Sequence, residues 1–210
     1  TITILDGQLT GSATVSAPTD DAVLDAGSVT NSIASTSGGN FENVVNANDA
    51  GNPVSTTITD TVDTTTVTIS ADASVAEGGT ITYTASVDNP TDTGMTVSLS
   101  NGATITIAAG ATSGSESVTA PADDVYLDGS TQNVTITGTT GGNFENLVID
   151  TTAATTVITD TIGDTTISLA ATGTVDEGGS ITYTATVDNA PQGDMTVTLQ
   201  DGTTITILDG

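Results

Sequence analysis

An internal repeat of about 100 residues is the strongest constraint that the sequence places on the fold. The motif GGNFEN begins at Gly38 and again at Gly141, an offset of 103 residues. The motif EGG-x-ITYTA begins at Glu77 and again at Glu177, an offset of 100 residues. Self-similarity at a fixed period indicates copies of one structural unit stacked in series, and a unit of about 100 residues has the size of one β-sandwich domain. The chain is therefore predicted to contain consecutive copies of one small domain.

Within each repeat, apolar residues alternate with Thr or Ser. This period of two is typical of strands that bury one face and expose the other. Asn101-Gly102 lies between two such runs and is a strong signal for a two-residue hairpin turn. No segment has a helical period, so we predict an all-β fold of tandem Ig-like antiparallel β-sandwich modules. The alternating runs are 66–69, 81–87, 95–99, 104–107, 117–119 and 134–137.

Two acidic linkers, DTVD at Asp60 and DTIGD at Asp160, precede the first strand of a repeat and mark the predicted boundaries. We expect residues 63–162 to form one complete Ig-like repeat. Residues 1–62 are then the C-terminal part of the preceding repeat, and residues 163–210 are the N-terminal part of the next one. The incomplete repeats leave two hypotheses open: a window on a longer periodic chain, or half-repeats of neighbouring chains that complete each other by strand addition.

The charge balance is one-sided, with 26 Asp and Glu residues and no Lys, Arg or His, for a net charge of −26. No internal salt bridge to a basic side chain is possible. Each carboxylate must be solvated, bound by backbone N–H groups or neutralised by an external cation. Nucleic acid is excluded as a partner because phosphate binding depends on Lys and Arg. No run of about 18 apolar residues is present, so this segment is not expected to insert into a membrane.

The side chains needed for catalysis are nearly all missing. Without Cys there are no disulfides or thiolate metal sites. Without His, Lys or Cys, no conventional base is available to activate a Ser or Thr nucleophile. Only a carboxylate pair remains, as in glycoside hydrolysis, and the pair Asp123-Asp124 recurs as Asp20-Asp21. A pair that recurs in every unit indicates architecture, so the chain is not expected to be an enzyme.

The acidic residues are predicted to converge at the junctions between repeats. Strands that alternate in direction place successive loops at opposite ends of a sandwich. This trace brings the loop at Glu77, the loop at 121–128 and the linker at Asp160 to one end of the complete repeat. Five or six carboxylates with no basic neighbour repel one another, and a hard cation with roughly 6–8 oxygen ligands relieves that repulsion.

Flexible loops suit Ca²⁺ better than Mg²⁺, so we predict calcium at each junction. The competing interpretation is that loop Asp residues serve turns and solubility, and we favour it for Asp88, Asp92 and Glu116. The predicted ligands at the junction with the next repeat are Glu77, Asp123, Asp124, Asp128, Asp160 and Asp164; those at the preceding junction are Asp20, Asp21, Asp25, Asp60 and Asp63.

Four segments, GGNFENLV, ADDVYLD, TDTIGDTT and VDEGGSITYTATVDN, resemble the repeats of LapA-type giant RTX biofilm adhesins. The resemblance covers the whole chain. It implies Ig-like extender repeats of a secreted protein, exported by type I secretion and held at the bacterial outer membrane, with calcium between related modules. Two departures are modest: Val23 stands at the position of Tyr126, and the segment 46–56 is longer than its counterpart.

We therefore expect a structural extender at the bacterial cell surface that projects distal binding domains for attachment and biofilm formation. Its expected partners are the neighbouring repeats of the same chain. Two alternatives stay open. The repeats themselves bind surfaces, polysaccharide or each other across cells, or the chain is a self-assembling fibre subunit that pairs with like chains. Direct binding would favour an exposed aromatic patch, and the five aromatic residues are spread along the chain.

Overall fold

The computed structural model describes residues 1–210 and confirms an all-β fold. No helix long and apolar enough to cross a membrane is present. The strands in chain order are β1 (Gly27–Asn31), β2 (Val54–Ile58), β3 (Thr64–Ala71), β4 (Ser74–Ala76), β5 (Thr80–Val87), β6 (Met95–Leu99), β7 (Thr104–Ile107), β8 (Ser113–Thr119), β9 (Ser130–Val134), β10 (Ile136–Gly141), β11 (Asn146–Ile149), β12 (Ala154–Thr159), β13 (Ile167–Ala171), β14 (Tyr183–Val187), β15 (Met195–Thr198) and β16 (Thr204–Ile207).

The alternating pattern sets which side chains are buried. In β5, Ile81, Tyr83 and Ala85 are fully buried, while the Thr and Ser residues between them are partly exposed. Strand β6 alternates in the same way, with Met95 and Val97 fully buried. Val, Ile, Tyr and Thr favour such half-buried pleated surfaces. Between residues 63 and 162 the strands form three sheets, with the orders β11-β3-β5-β8, β10-β6-β7 and β4-β12-β9.

The hairpin predicted at Asn101-Gly102 is confirmed. Strands β6 and β7 pair in antiparallel fashion on either side of it. Leu99 N–H donates to the Ala103 carbonyl over 2.9 Å, and Gly102 has a φ of 86°. A side chain is disfavoured at that φ, which explains why glycine occupies the position.

One predicted strand, over 134–137, is wrong. The structure places Val134 at the end of β9 and Ile136 at the start of β10. Strand β9 pairs with β12, whereas β10 pairs with β6, so the chain changes sheets at Thr135. Both apolar residues are buried, and alternation alone does not reveal which sheet each of them joins.

Two strand pairs are parallel, which adds to the antiparallel arrangement expected from the sequence. Strand β11 pairs with the first half of β3, and β12 pairs with β4. A parallel pair joins segments that are distant along the chain, because the connection must cross over. The beginning of the segment 63–162, called the central repeat below, is therefore hydrogen-bonded to the final strands of that segment.

The chain divides into two compact units, and each unit contains one acidic linker. The first unit, with the linker at 60–63, consists of 1–68, 85–114 and 136–152. The second, with the linker at 160–164, consists of 69–84, 115–135 and 153–210.

The segments that flank residues 63–162 pair their strands in the same register as the matching segments within it. In β1 and β2, Gly27 faces Ile58, as Ser130 faces Ile158 in β9 and β12. In β15 and β16, Met195 faces Ile207, as Met95 faces Ile107 in β6 and β7. The sequence repeat is therefore also a repeat of local structure.

Replacing a buried residue of β5 should destabilise the protein far more than replacing an exposed apolar one. Ile81→Ala should lower the free energy of unfolding by about 2–5 kcal/mol, because it leaves a cavity at a fully buried site. Ile162→Ala, at a side chain that is 95% exposed, should change it by less than about 0.5 kcal/mol. Urea denaturation of both variants measures the difference, and equal losses would contradict this core assignment.

Candidate metal centre

Three carboxylates of the second unit converge at one end of the central repeat. Oxygen atoms of Glu77, Asp128 and Asp160 all lie within 4.8 Å of one another. Glu77 directly follows β4, and its backbone N–H donates to the carbonyl of Thr159, the last residue of β12, over 3.0 Å. The parallel pairing of β4 with β12 thus brings Glu77 beside Asp160.

A second backbone bond brings in the loop that carries Asp128. Gly78 N–H donates to the Pro121 carbonyl over 2.6 Å, and the loop from Pro121 ends at Ser130, where β9 begins its pairing with β12. The three carboxylates are thus positioned by two strands and one loop that share a hydrogen-bonded framework.

The cluster contains buried oxygen atoms with no hydrogen-bond partner. Glu77 is only 9% exposed, and its Oε2 atom is buried and unpaired, as is Oδ1 of Asp160. An unsatisfied buried carboxylate oxygen is costly because it has lost its water without gaining a donor. No Lys, Arg or His exists in the chain to supply one. A proton or a bound cation is what remains to satisfy these atoms.

The surroundings of Glu77 raise the pKa of its carboxyl above the ordinary value of 4.5. Burial is the largest cause, because it disfavours the charged form. A hydrogen bond with the Asp128 side chain and the negative charges of Asp128, Asp160 and Asp124 act in the same direction. The site therefore favours added positive charge.

The donor set fits a hard cation. Carboxylate oxygens are preferred ligands of Ca²⁺, and two oxygens at about 2.3–2.6 Å from one ion lie no more than about 5 Å apart. The 4.8 Å limit that encloses the three carboxylates is compatible with that range. Thiolate and imidazole ligands are absent from the chain, which favours Ca²⁺ or Mg²⁺ over transition metals.

The other residues predicted at this junction lie outside the three-carboxylate cluster. Asp123 accepts a hydrogen bond from the Thr161 hydroxyl of the linker. Asp124 accepts one from Tyr126 N–H over 2.7 Å, which closes a local turn, although its charge still acts on Glu77. Asp164 is exposed.

In the first unit, Asp20 and Asp21 make the same local contacts as their counterparts. Asp20 accepts a hydrogen bond from the Thr61 hydroxyl over 2.6 Å, and Asp21 accepts one from Val23 N–H over 2.8 Å. These pairs repeat the contacts of Asp123 and Asp124 one unit earlier. Each linker is therefore held to the loop before it by one Thr–Asp hydrogen bond.

Asp25 and Asp60, the counterparts of Asp128 and Asp160, also lie together. Asp60 accepts hydrogen bonds from the backbone N–H groups of Asp25 and Ala26, over 3.2 and 3.0 Å. Partial desolvation and the nearby charges of Asp21 and Asp60 raise the pKa of Asp25. Asp63 uses its own N–H to donate to Glu145 over 2.6 Å. The acidic residues around the first linker therefore form a negatively charged region. Their carboxylate oxygens do not form a compact group of three like that of Glu77, Asp128 and Asp160.

The GGNFEN motif has a role that the sequence reasoning missed. Asn143 adopts a left-handed conformation, with a φ of 54°, and accepts a hydrogen bond on its backbone carbonyl from Leu24 N–H over 3.0 Å. Its side chain donates to the Leu24 carbonyl and to Asp92. Phe144 forms a β-bridge with Val23. The motif therefore binds the loop at 20–25, and its recurrence was the one signal of this function.

At the second linker, Tyr126 makes a corresponding contact. Its hydroxyl donates to the Ala190 carbonyl over 2.7 Å. It lines a cavity of about 430 Å³ whose other walls include Leu127, Pro191 and Met195. Residues on both sides of the 160–164 linker are thereby in contact.

The LapA domain profile matches residues 1–61, 63–161 and 163–210, which together cover nearly the whole chain. The chain belongs to the LapA domain family. No curated protein matches its sequence.

Membership of the LapA domain family supports an adhesin-related role at the cell surface. The LapA domain family is not an enzyme family. The matched ranges are interrupted at residues 62 and 162, which lie within the two acidic linkers.

Neutralising Glu77 should stabilise the metal-free protein at neutral pH. The folded state holds the Glu77 proton more tightly than the unfolded chain, because the pKa is raised on folding. Stability from this group is therefore complete below about pH 4.5 and lost as the pH rises through the folded pKa. Glu77→Gln should raise the melting temperature at pH 7 in EDTA and flatten its decline with pH. Calorimetry over a pH series measures this. Glu116→Gln, at an exposed position, is the matched control; identical profiles for both variants would contradict the assignment.

Proposed function

We propose that this LapA domain segment is a structural extender whose repeats are fixed in series by Ca²⁺ bound at the end of each repeat. The observation that carries the proposal is the pair of buried, unpartnered carboxylate oxygens on Glu77 and Asp160. Asp160 begins the linker, so a cation on this site binds the linker to the body of the repeat. Glu77, Asp128 and Asp160 supply the protein ligands, and water or backbone carbonyls complete the coordination.

We include the remaining acidic residues as outer members of the junction. Asp123, Asp124 and Asp164 hold negative potential around the first three, and Asp20, Asp21, Asp25, Asp60 and Asp63 do so at the preceding linker. Asp20 and Asp123 accept hydrogen bonds from the linker hydroxyls of Thr61 and Thr161, which limits the motion of each linker. In this proposal these outer carboxylates attract the cation and orient the linker, while Glu77, Asp128 and Asp160 bind the ion.

The repeats follow the boundaries 1–62, 63–162 and 163–210, and the contacts across each linker support their rigid connection. Tyr126 with Ala190, and Asn143 with Leu24, join residues on the two sides of a linker. A strand of about eight residues spans roughly 27 Å, so each repeat with its loops adds on the order of 40 Å. Rigid repeats extend in proportion to their number, whereas the reach of a flexible chain grows only as the square root of its length.

In this function the segment projects distal binding domains of a giant RTX biofilm adhesin away from the cell. Export by type I secretion and attachment at the outer membrane accompany that role. Its partners are the neighbouring repeats of the same chain. The absence of Lys and Arg suits an extracellular protein, because trypsin-like proteases have no site to cleave.

Calcium removal should make the protein more flexible and less stable. Small-angle scattering in millimolar calcium should give a longer maximum dimension than in EDTA, and the melting temperature should be higher with calcium because the ion binds only the folded site. Glu77→Gln should abolish the calcium response, while Glu116→Gln should retain it. Scattering and melting curves that are the same in calcium and in EDTA would refute the calcium function and leave the acidic residues as solubility devices.

A further inference from the structure

Two backbone hydrogen bonds join the loop before the first linker to the second GGNFEN motif. Leu24 N–H donates to the Asn143 carbonyl over 3.0 Å, and Glu145 N–H donates to the carbonyl of Ala22 over 3.2 Å. Ala22 is buried, with 7% of its surface exposed. Residues 22–24, called the docked segment below, therefore pair with the motif as a very short strand. Addition of an extended segment through its main chain is a common mode of peptide recognition.

The side chain of Asn143 strengthens this pairing. It donates to the Leu24 carbonyl over 3.3 Å and to Asp92 Oδ2 over 3.2 Å. Asp92 N–H donates to the Gly142 carbonyl over 3.3 Å, so Asp92 contacts the motif through both its side chain and its main chain. Asn is one of the few residues that adopt a left-handed φ readily, and the φ of Asn143 is 54°. Asn143 thus combines the backbone conformation of the motif with a donor for the docked segment.

The middle residue of the docked segment, Val23, is not held by these hydrogen bonds. It forms an antiparallel β-bridge with Phe144, and the two backbone bonds lie on either side of that pair. Residues paired in this way have Cα atoms about 4.5 Å apart and side chains in close proximity. Val23 also lines a cavity of about 380 Å³ whose other walls include Asn89 and Pro90. The side chain at position 23 can therefore change in size without loss of the main-chain pairing.

A different side chain occupies the corresponding position before the second linker, where Tyr126 stands in place of Val23. The Tyr126 hydroxyl donates to the Ala190 carbonyl over 2.7 Å. Ala190 corresponds to Pro90, at an offset of 100 residues. The two middle side chains thus face equivalent loops of the repeat that follows each linker. A larger ring and an added hydrogen bond both favour Tyr over Val at this position.

We propose that the GGNFEN motif is a docking site for the main chain of the loop that precedes a linker, and that it closes the junction without a metal ion. The partner is an extended segment of the preceding repeat, recognised through main-chain bonds and a small buried side chain at its first position. The middle side chain, Val23 or Tyr126, sets how firmly each junction closes. The inference rests on the extender role proposed above but not on its calcium. Junctions within one chain then differ in stiffness.

Negative charge opposes this docking, because Asp92 follows the first linker while Asp21 and Asp25 precede it. Partial desolvation raises the pKa of Asp25, and the charges of Asp21, Asp60 and Asp92 raise it further. Sodium chloride near 0.1 M shortens the Debye length to about 10 Å and so screens exposed charges of this kind. The docking bonds join neutral groups, so screening reduces the repulsion and leaves the bonds in place. Docking should therefore strengthen as sodium chloride is added in EDTA.

Amide hydrogen exchange resolved by residue measures docking directly, because an amide exchanges when its hydrogen bond opens. In the 210-residue chain, the Leu24 and Glu145 amides should be protected to the same extent in EDTA and in millimolar calcium, and sodium chloride should slow their exchange. Exchange as fast as that of unprotected amides in EDTA, or faster exchange with added salt, would overturn the proposal.

Asn143→Gly tests the motif itself. Glycine keeps the left-handed backbone accessible but removes the amide side chain, so exchange at Leu24 should accelerate by about tenfold. The matched control is Asn40→Gly, the same substitution at the same position of the first motif, where φ is 50°; it should leave exchange at Leu24 unchanged. Unaltered exchange in β6 and β7 reports that the repeat remains folded. Equal exchange at Leu24 in the two variants would show that the motif does not hold the docked segment.

Substitutions of Val23 in both directions test its tuning role. Val23→Tyr should slow exchange at Leu24 by about threefold, because an aromatic side chain pairs more strongly with Phe144 across the bridge. Val23→Ala should accelerate it by about the same factor, because the pair with Phe144 is lost. Identical exchange in these two variants would remove position 23 from the proposal.

The comparison of calcium with EDTA separates this inference from the calcium function. Asn143→Gly should lose protection at Leu24 and retain the calcium-induced rise in melting temperature, whereas Glu77→Gln should do the reverse. Protection of Leu24 only in calcium would overturn metal-independent docking and leave the calcium function standing. Protection in both solutions, together with melting that ignores calcium, would refute the calcium function and leave the docking site in place.

Discussion

Every carboxylate in this chain must be satisfied without a basic side chain, and much of the local structure follows from that constraint. Most of the hydrogen bonds that the Asp and Glu side chains accept come from backbone N–H groups or from hydroxyls. Asp88 accepts from Thr66 N–H, Asp72 accepts from Thr82 N–H, and Asp123 accepts from the Thr161 hydroxyl. Abundant Thr and Ser supply donors that bear no charge. The shortage of donors becomes acute only where burial also removes water, which happens at Glu77.

The architecture could be predicted from the sequence because its main signal is periodic. Strands β5, β6 and β7 coincide closely with the alternating runs, and the Asn101-Gly102 turn fixes the hairpin between the last two. The change of sheet at Thr135 could not be predicted, because a residue in either sheet produces the same alternation. The parallel pairs of β11 with β3 and β12 with β4 also depend on contacts between distant segments. Local sequence carries no information about such crossovers.

The candidate site was predictable in its location but not in its membership. Alternating strand directions predict that the loop ends carrying Glu77, Asp128 and Asp160 lie together, and their oxygens are within 4.8 Å of one another in the structure. The same pattern does not distinguish them from Asp123 and Asp124, whose oxygens accept hydrogen bonds from Thr161 and Tyr126. That distinction depends on side-chain direction within one loop, at a scale of a few ångströms. The contact of Asn143 with Leu24 was not predictable for another reason: it joins residues that are 119 positions apart in the sequence.

The parallel pairing of β4 with β12 has a consequence for how a repeat responds to tension. Strand β4 lies close to the beginning of the central repeat and β12 close to its end, and the two run in the same direction. A pull applied at Asp63 and Ile162 loads β3 against β11 at the first position and β12 against β4 at the second, in both cases along the strand direction. The hydrogen bonds between them are then loaded together in shear rather than opened one after another. Resistance to forced unfolding is set by the rate of that concerted rupture. The parallel pairing is therefore expected to oppose extension of the repeat along the chain.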